Sequence, residues 1–250
     1  SSAASDVYKR QIIYCRKCIQ LGRMDHLTDY RITKSHQKAT LCEYHLEFAL
    51  SDQQRYASQQ IVNAIKARRK LLLYAVTGAG KTEMIFEGIK FARNQGDNIA
   101  IVSPRVDLVV EISQRIKNAF FQEDIDVLHQ SSKQEFNGHF IISTIHQLYR
   151  YKNHFDAIII DEVDAFPLSM DDDLFKVIQT ASKQSACHIY MTATPPKKLL
   201  STISKDNVIK LPARFHRQPL PVPNFQYLKF NPKKVQFKSV SYTHLRAHET

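Results

Sequence analysis

The sequence predicts an α/β protein whose mostly parallel sheet is covered by helices on both faces. Three observations carry that expectation. Short runs that are apolar throughout alternate with amphipathic stretches of helical period, the pattern of strands buried on both sides. A glycine-bearing turn, TGAGKT at 77–82, sits between the apolar run LLLYAV and the amphipathic run EMIFEGIKFA. Further on, the apolar run AIII at 157–160 opens into the acidic string DEVD.

The elements follow in order. Ser51 is a side-chain cap for a helix over 51–69, with Ile61 and Ile65 on its apolar stripe. LLLYAV at 71–76 reads as a strand, 81–93 as a helix, 98–104 as a strand and 105–120 as a helix. Strands are expected at 125–129, 140–145 and 155–164, a helix at 172–182, and strands at 187–194 and 208–213. Residues 12–50 form a small basic, histidine-bearing piece, within which 42–45 reads as a helical lead-in. After Pro212 the chain turns proline-rich as far as Pro232, the composition of an extended linker. The two ends, SSAASDVYKRQ at 1–11 and SVSYTHLRAHET at 239–250, read as foreign tails of the kind that translated adaptor sequence leaves, so the chain is expected to be a piece cut at both ends.

Apolar residues make up 43% of the chain, enough for a core, and the longest apolar runs are far too short to span a bilayer. The opening residues carry no apolar h-region. Four cysteines, two of them in a C-x-x-C, suggest an intracellular, reducing setting rather than a disulfide framework. The net charge is +11, and its distribution matters more than its size. Residues 12–50 carry +2 and residues 51–194 carry −1, whereas residues 195–238 carry +9. A basic strip suits a phosphate backbone, and it equally suits a solvated lysine surface.

A strand feeding a glycine turn that opens a helix makes an anion cradle, because backbone N–H groups at the turn point outward. Here the cradle would run from Thr77 through Gly78, Ala79 and Gly80 to Lys81 and Thr82. Lys81 would reach the outer phosphates of a nucleoside triphosphate, and the Thr82 hydroxyl would sit on magnesium. Ala75 stands where the strict pattern has glycine, as in the A-x-T-G-x-G-K-T variant of helicase-type motors. Such a loop needs carboxylates. Asp161 would hold the magnesium, and Glu162 would orient and deprotonate the attacking water. Two adjacent carboxylates sit well only beside a cation. Thr192 and Thr194 of MTATPP are hydroxyl donors suited to tying that acidic cluster to a second surface.

Cys15 and Cys18 of YCRKC have the spacing of a zinc knuckle but supply only half a tetrahedral site. The other half is either a further C-x-x-C upstream or Cys42 and His45 of CEYH. A redox C-x-x-C is disfavoured, since no thioredoxin-like βαβ surrounds it.

AVTGAGKTEM, SPRVDL, STIHQL, DEVDAF and TAT occur in the order and spacing of the first motor domain of superfamily 2 helicases, which the chain resembles. TGAGKTEMI, SPR, DEVDAFP and RFHRQPL are together similar to the late-competence DNA-uptake ATPases, the ComFA family, over about residues 12–232. The resemblance implies a RecA-like P-loop NTPase domain at 51–213, preceded by a partial zinc-knuckle region at 12–50. A basic linker at 214–238 would lead toward a second RecA-like domain. It implies ATP, magnesium and zinc as cofactors, with Gln54 of LSDQQ at the adenine. The TAT strand would lie between the strands bearing the P-loop and DEVD, and Asp164 would meet Thr192 or Thr194 and couple nucleotide to track. Ser103, Arg105, Thr144 and Gln147 would contact single-stranded DNA. Arg105 also argues for a phosphate partner on its own, since a positive charge opposes the dipole at a helix start. The implied setting is DNA uptake, with channel and competence proteins as partners, in the cytoplasm at the inner face of the membrane, without a membrane span in the chain itself. Without a second domain's arginine finger, turnover would be poor, since such a residue is worth ~10³–10⁵ in rate. Two alternatives stand beside this reading. One is a primosomal replication-restart helicase, whose motif usually reads D-E-E-H rather than DEVD. The other is a non-motor zinc-binding DNA adaptor.

Overall fold

The computed structural model describes residues 39–76, 79–130, 132–164 and 172–211. The first helix, α1 (Asp52–Lys66), starts where the sequence places its cap. Ser51 Oγ accepts from the Gln54 amide at 3.3 Å, and Gln54 Oε1 accepts from the Ser51 amide at 2.9 Å, a reciprocal capping box. The chain continues as β1 (Lys70–Ala75), α2 (Lys81–Met84), α3 (Phe86–Asn94), β2 (Ile99–Ser103) and α4 (Val106–Ala119). Then come β3 (Asp126–Leu128), β4 (Phe140–Thr144), a 3-10 stretch at Ile145–Arg150, and β5 (Phe155–Asp161). The described part closes with α5 (Asp172–Ala181), β6 (Ser182–Thr192), α6 (Lys197–Thr202) and β7 (Val208–Leu211).

Among the described residues the strands form one seven-stranded sheet in the order β3-β4-β2-β5-β6-β1-β7, with every neighbouring pair parallel. Because successive strand residues face opposite ways, each strand feeds two cores. On one side Leu71, Leu73, Ile101 and Ile159 pack with α1, α3 and α4. On the other, Leu72, Val102, Ile158 and Ile160 pack with α5, α6 and the 3-10 stretch. Burying each such side chain is worth about 1.5–3 kcal/mol. The α/β expectation with a parallel sheet covered on both faces is therefore met, and β6 lies between β5 and β1 as the resemblance implies.

Local expectations differ in places. The helix expected over 81–93 is two helices meeting at Ile85, whose amide bonds Thr82 O at 3.3 Å in a tightened turn. The expected helical lead-in at 42–45 is not helical. Residues 39–50 lie along α3 and α4, with the Cys42 amide bonded to Asn94 Oδ1 at 2.7 Å and the His45 amide to Ala119 O at 3.0 Å. Tertiary partners took the amides a helix would have used. β6 starts at Ser182, ahead of the expected 187, and β5 ends at Asp161 rather than at 164.

Candidate functional site

The C-terminal ends of β1 and β5 flank that of β6, so the turn after β1 and the acidic string after β5 open on the same edge of the sheet. They share a cavity of about 720 Å³, lined by Gly80, Lys81, Thr82, Asp161, Glu162 and Asp164 and also by Gln54 and Arg115. That size falls in the usual range of ligand pockets. Thr77 and Gly78 lie outside the described residues.

Lys81 Nζ stands 3.9 Å from Asp161 Oδ1. Asp161 is buried, and its Oδ1 has no hydrogen-bond partner among the described residues. Burial pushes the Asp161 carboxyl above the usual range, and the Lys81 charge only partly offsets this. Glu162 is raised too, by burial and then by the negative charge of Asp161, against the pull of Arg105 and Lys81. A buried carboxylate oxygen with no donor and the buried Thr82, both lining this cavity, are a hard-oxygen donor set that suits magnesium. Asp161 and Thr82 would hold that ion, which when bound would neutralise phosphate charge. Glu162 has φ 52°, a left-handed conformation uncommon for a residue with a side chain and of the kind that collects at functional sites.

The turn is held from behind by α1. Gly80 has φ 71°, which strains any residue with a Cβ, and a Cβ there would fall 2.5 Å from Gln54 Nε2 and displace that amide, so glycine is favoured. Gln54 Nε2 donates to Ala79 O at 2.9 Å. With its Oε1 engaged in the capping box, the Gln54 amide makes one bond to the protein at each end while the side chain lines the cavity. Each end keeps one further hydrogen-bonding capacity, so its expected place at an adenine is compatible with both bonds.

Asp164 accepts hydrogen bonds from the hydroxyls of both Thr192 and Thr194, and the Thr194 amide donates to Thr192 Oγ1 at 3.0 Å. This ties the segment after β5 to the end of β6. The residues assigned to DNA divide differently. Ser103, Thr144 and Gln147 are 1%, 5% and 0% exposed, because each lies at the end of a central strand or in the turn beneath it. Their side chains are not presented to a strand of DNA in this conformation. Arg105 alone of the four is exposed, and it pairs with Asp107.

Cys15 and Cys18 lie outside the described residues. Cys42 is fully buried in the core beside α3, where burial and the neighbouring Glu123 carboxylate push its thiol to about 12. Cys42 lies inside the core while His45 is exposed, so the two do not face one site in this conformation. Among the described residues no group of three His, Cys, Asp or Glu side chains could hold a metal ion.

The cavity wall also holds a pair that the sequence did not announce. Arg115 on α4 pairs with Glu83 on α2 and stands 3.9 Å from Glu111. The partners Arg115 and Glu83 are 32 positions apart, and no local pattern links them.

Comparison with known proteins bears on this geometry. Residues 47–197 match the family model described as the type III restriction enzyme, res subunit. The competence protein ComFA of Bacillus subtilis is 40% identical over 218 residues, covering 85% of this chain and 47% of that protein. The chain is a helicase-like member of the ComFA family. ComFA of Streptococcus pneumoniae is 31% identical over 214 residues, covering 84% of the chain and 49% of that protein. The chain thus spans about half the length of the curated relatives it matches. Among solved structures, a hypothetical ATP-dependent RNA helicase from Sulfolobus tokodaii superposes with a TM-score of 0.53 at 17% identity, covering 66% of this chain and 53% of that one. That likeness speaks for the RecA-like fold alone. No helix among the described residues is long and apolar enough to cross a membrane.

Proposed function

We propose that the chain carries the ATP-binding domain of a motor that moves single-stranded DNA during uptake in natural transformation, working from the cytoplasm at the inner face of the membrane with channel and competence proteins. The observation that carries the reading is the convergence of Lys81, Thr82, Asp161 and Glu162 on one cavity, with Lys81 Nζ 3.9 Å from Asp161 Oδ1. In this reading the turn ending at Lys81 takes the phosphates, and Thr82 and Asp161 hold magnesium. Glu162 activates the attacking water, and Asp164 passes the nucleotide state to β6 through Thr192 and Thr194. The relatives named competence proteins support the uptake setting. Arg105 is the described side chain best placed to meet a phosphate backbone, while Ser103, Thr144 and Gln147 support that surface from beneath. The domain limits at 51–213, the basic linker at 214–238 and the half zinc site at Cys15 and Cys18 belong to the same proposal.

The test is Glu162→Gln under single-turnover conditions with protein in excess. The variant binds ATP as the parent does and hydrolyses it at least about 100-fold more slowly. Equal hydrolysis by parent and variant would favour the adaptor reading, in which the site only binds.

A further inference from the structure

Carboxylates outnumber cationic side chains in the lining of the cavity. Glu83 and Glu111 line it together with the three carboxylates of 161–164, against two cationic side chains among the lining residues, Lys81 and Arg115. Asp161 and Glu162 are the carboxylates proposed to serve a cation. Glu83 has no such role. It follows Thr82 directly, and its Oε2 lies 3.5 Å from the point a Cβ on Gly80 would occupy. Its charge therefore stands beside the turn proposed to take phosphates, where a like charge opposes binding.

Arg115 answers that charge. Its Nη2 pairs with Glu83 Oε1, and its Nη1 reaches to 3.9 Å from Glu111 Oε1, one turn back on α4. The Glu83 side chain is only 25% exposed, so water screens it incompletely. A second cavity of about 120 Å³, bordered by His45 and Phe86, also has Arg115 and Glu83 in its lining.

We propose that Arg115 is a positioning residue for nucleotide binding: by pairing with Glu83 it neutralises that carboxylate and holds it against α4, leaving the turn at Gly80 and Lys81 open to a triphosphate. Arg115 acts through Glu83 and does not itself touch the phosphates. The inference rests on the nucleotide reading above and adds the residue that makes it electrostatically tolerable.

The experiment is equilibrium binding of a fluorescent ATP analogue, with magnesium, to the whole chain. Variants are Arg115→Ala, Arg115→Lys, Glu83→Gln and the double variant Arg115→Ala with Glu83→Gln, with Lys81→Ala as a control on the site itself. Arg115→Ala weakens binding about five- to tenfold at low ionic strength, and the loss shrinks as salt rises. Arg115→Lys keeps most of the affinity. The double variant returns to within about twofold of the parent, because the charge that needed neutralising is gone. A double variant as weak as Arg115→Ala, or an Arg115→Ala variant that binds like the parent, overturns the proposal. If Lys81→Ala binds as well as the parent, the nucleotide reading itself falls and takes this inference with it. Thermal melts of all five variants separate a binding defect from a folding one, and loss of affinity in Arg115→Lys with an unchanged melt also counts against it.

Discussion

The Lys81 ammonium stands 3.9 Å from Asp161 Oδ1, a buried oxygen that receives no hydrogen bond among the described residues. A carboxylate so placed is costly to ionise in the nucleotide-free protein, which is why its pKa is raised. A carboxyl whose folded pKa exceeds its unfolded value of about 3.9 binds protons more tightly in the fold, so the fold weakens as pH rises from that value through the folded pKa. Asp161→Asn removes the charge and keeps the shape. Without nucleotide or divalent ion, the variant melts about 2–4 °C higher than the parent at pH 7, equivalent to about 1 kcal/mol for a domain of this size, and the difference closes near pH 4. Melting curves across pH 4 to 8 in chelator check this, and a lower melt for the variant at pH 7 would count against it.

Gly80 supports a second expectation. Its φ of 71° and the 2.5 Å approach of Gln54 Nε2 to any added Cβ mean that Gly80→Ala strains the backbone and displaces the Gln54 amide from Ala79 O. The expected loss is about 1–3 kcal/mol, read as a lower denaturant midpoint with an unchanged slope. Because Gln54 also closes the capping box of α1, the strain should spread to that helix, and amide exchange in its first turn should quicken.

Asp164 provides a third. Its carboxylate serves two hydroxyls of unequal burial: Thr192 is fully buried and Thr194 is exposed. Asp164→Ala leaves the buried Thr192 O–H without its acceptor, though its oxygen still accepts from the Thr194 amide, and costs about 1–3 kcal/mol. Thr194→Ala leaves Asp164 still bonded to Thr192 and costs less than about 1 kcal/mol. Urea unfolding of the two variants gives the comparison, and equal losses would contradict the assignment.

The cysteines give a fourth. Burial pushes both the Cys42 and Cys187 thiols to about 12. Neither is a thiolate at neutral pH, so neither is a nucleophile in the fold. In the native protein at pH 8, iodoacetamide leaves both unmodified, and both react once the chain is unfolded. Peptide mass spectrometry reads this directly, and rapid native labelling of Cys42 would reopen it as a metal ligand.

Much of the frame was legible because local chemistry and global topology agree. Ser51 announces the start of α1 by its capping chemistry, and AIII ahead of DEVD announces a buried strand with an acidic mouth. The resemblance added one neighbour relation, β6 between β5 and β1. What escaped depends on partners distant in sequence. Residues 42–45 read as helical, yet their amides went to Asn94 and Ala119. Ser103, Thr144 and Gln147 are expected to meet DNA, yet the ends of β2 and β4 and the 3-10 stretch that follows β4 hold them in the interior. The left-handed turn at Glu162 and the pairing of Arg115 with Glu83 leave no trace in periodicity or composition.

The claim on which all of this depends is that the turn at Lys81 and the carboxylate of Asp161 grip one ligand between them, and calorimetric titration with ATP, with and without magnesium, tests it most directly. The account predicts that magnesium tightens binding to the parent chain, that Lys81→Ala abolishes binding in both conditions, and that Asp161→Asn still binds ATP but gains nothing from magnesium. An Asp161→Asn variant that keeps the full magnesium enhancement would show that the two residues do not share a ligand.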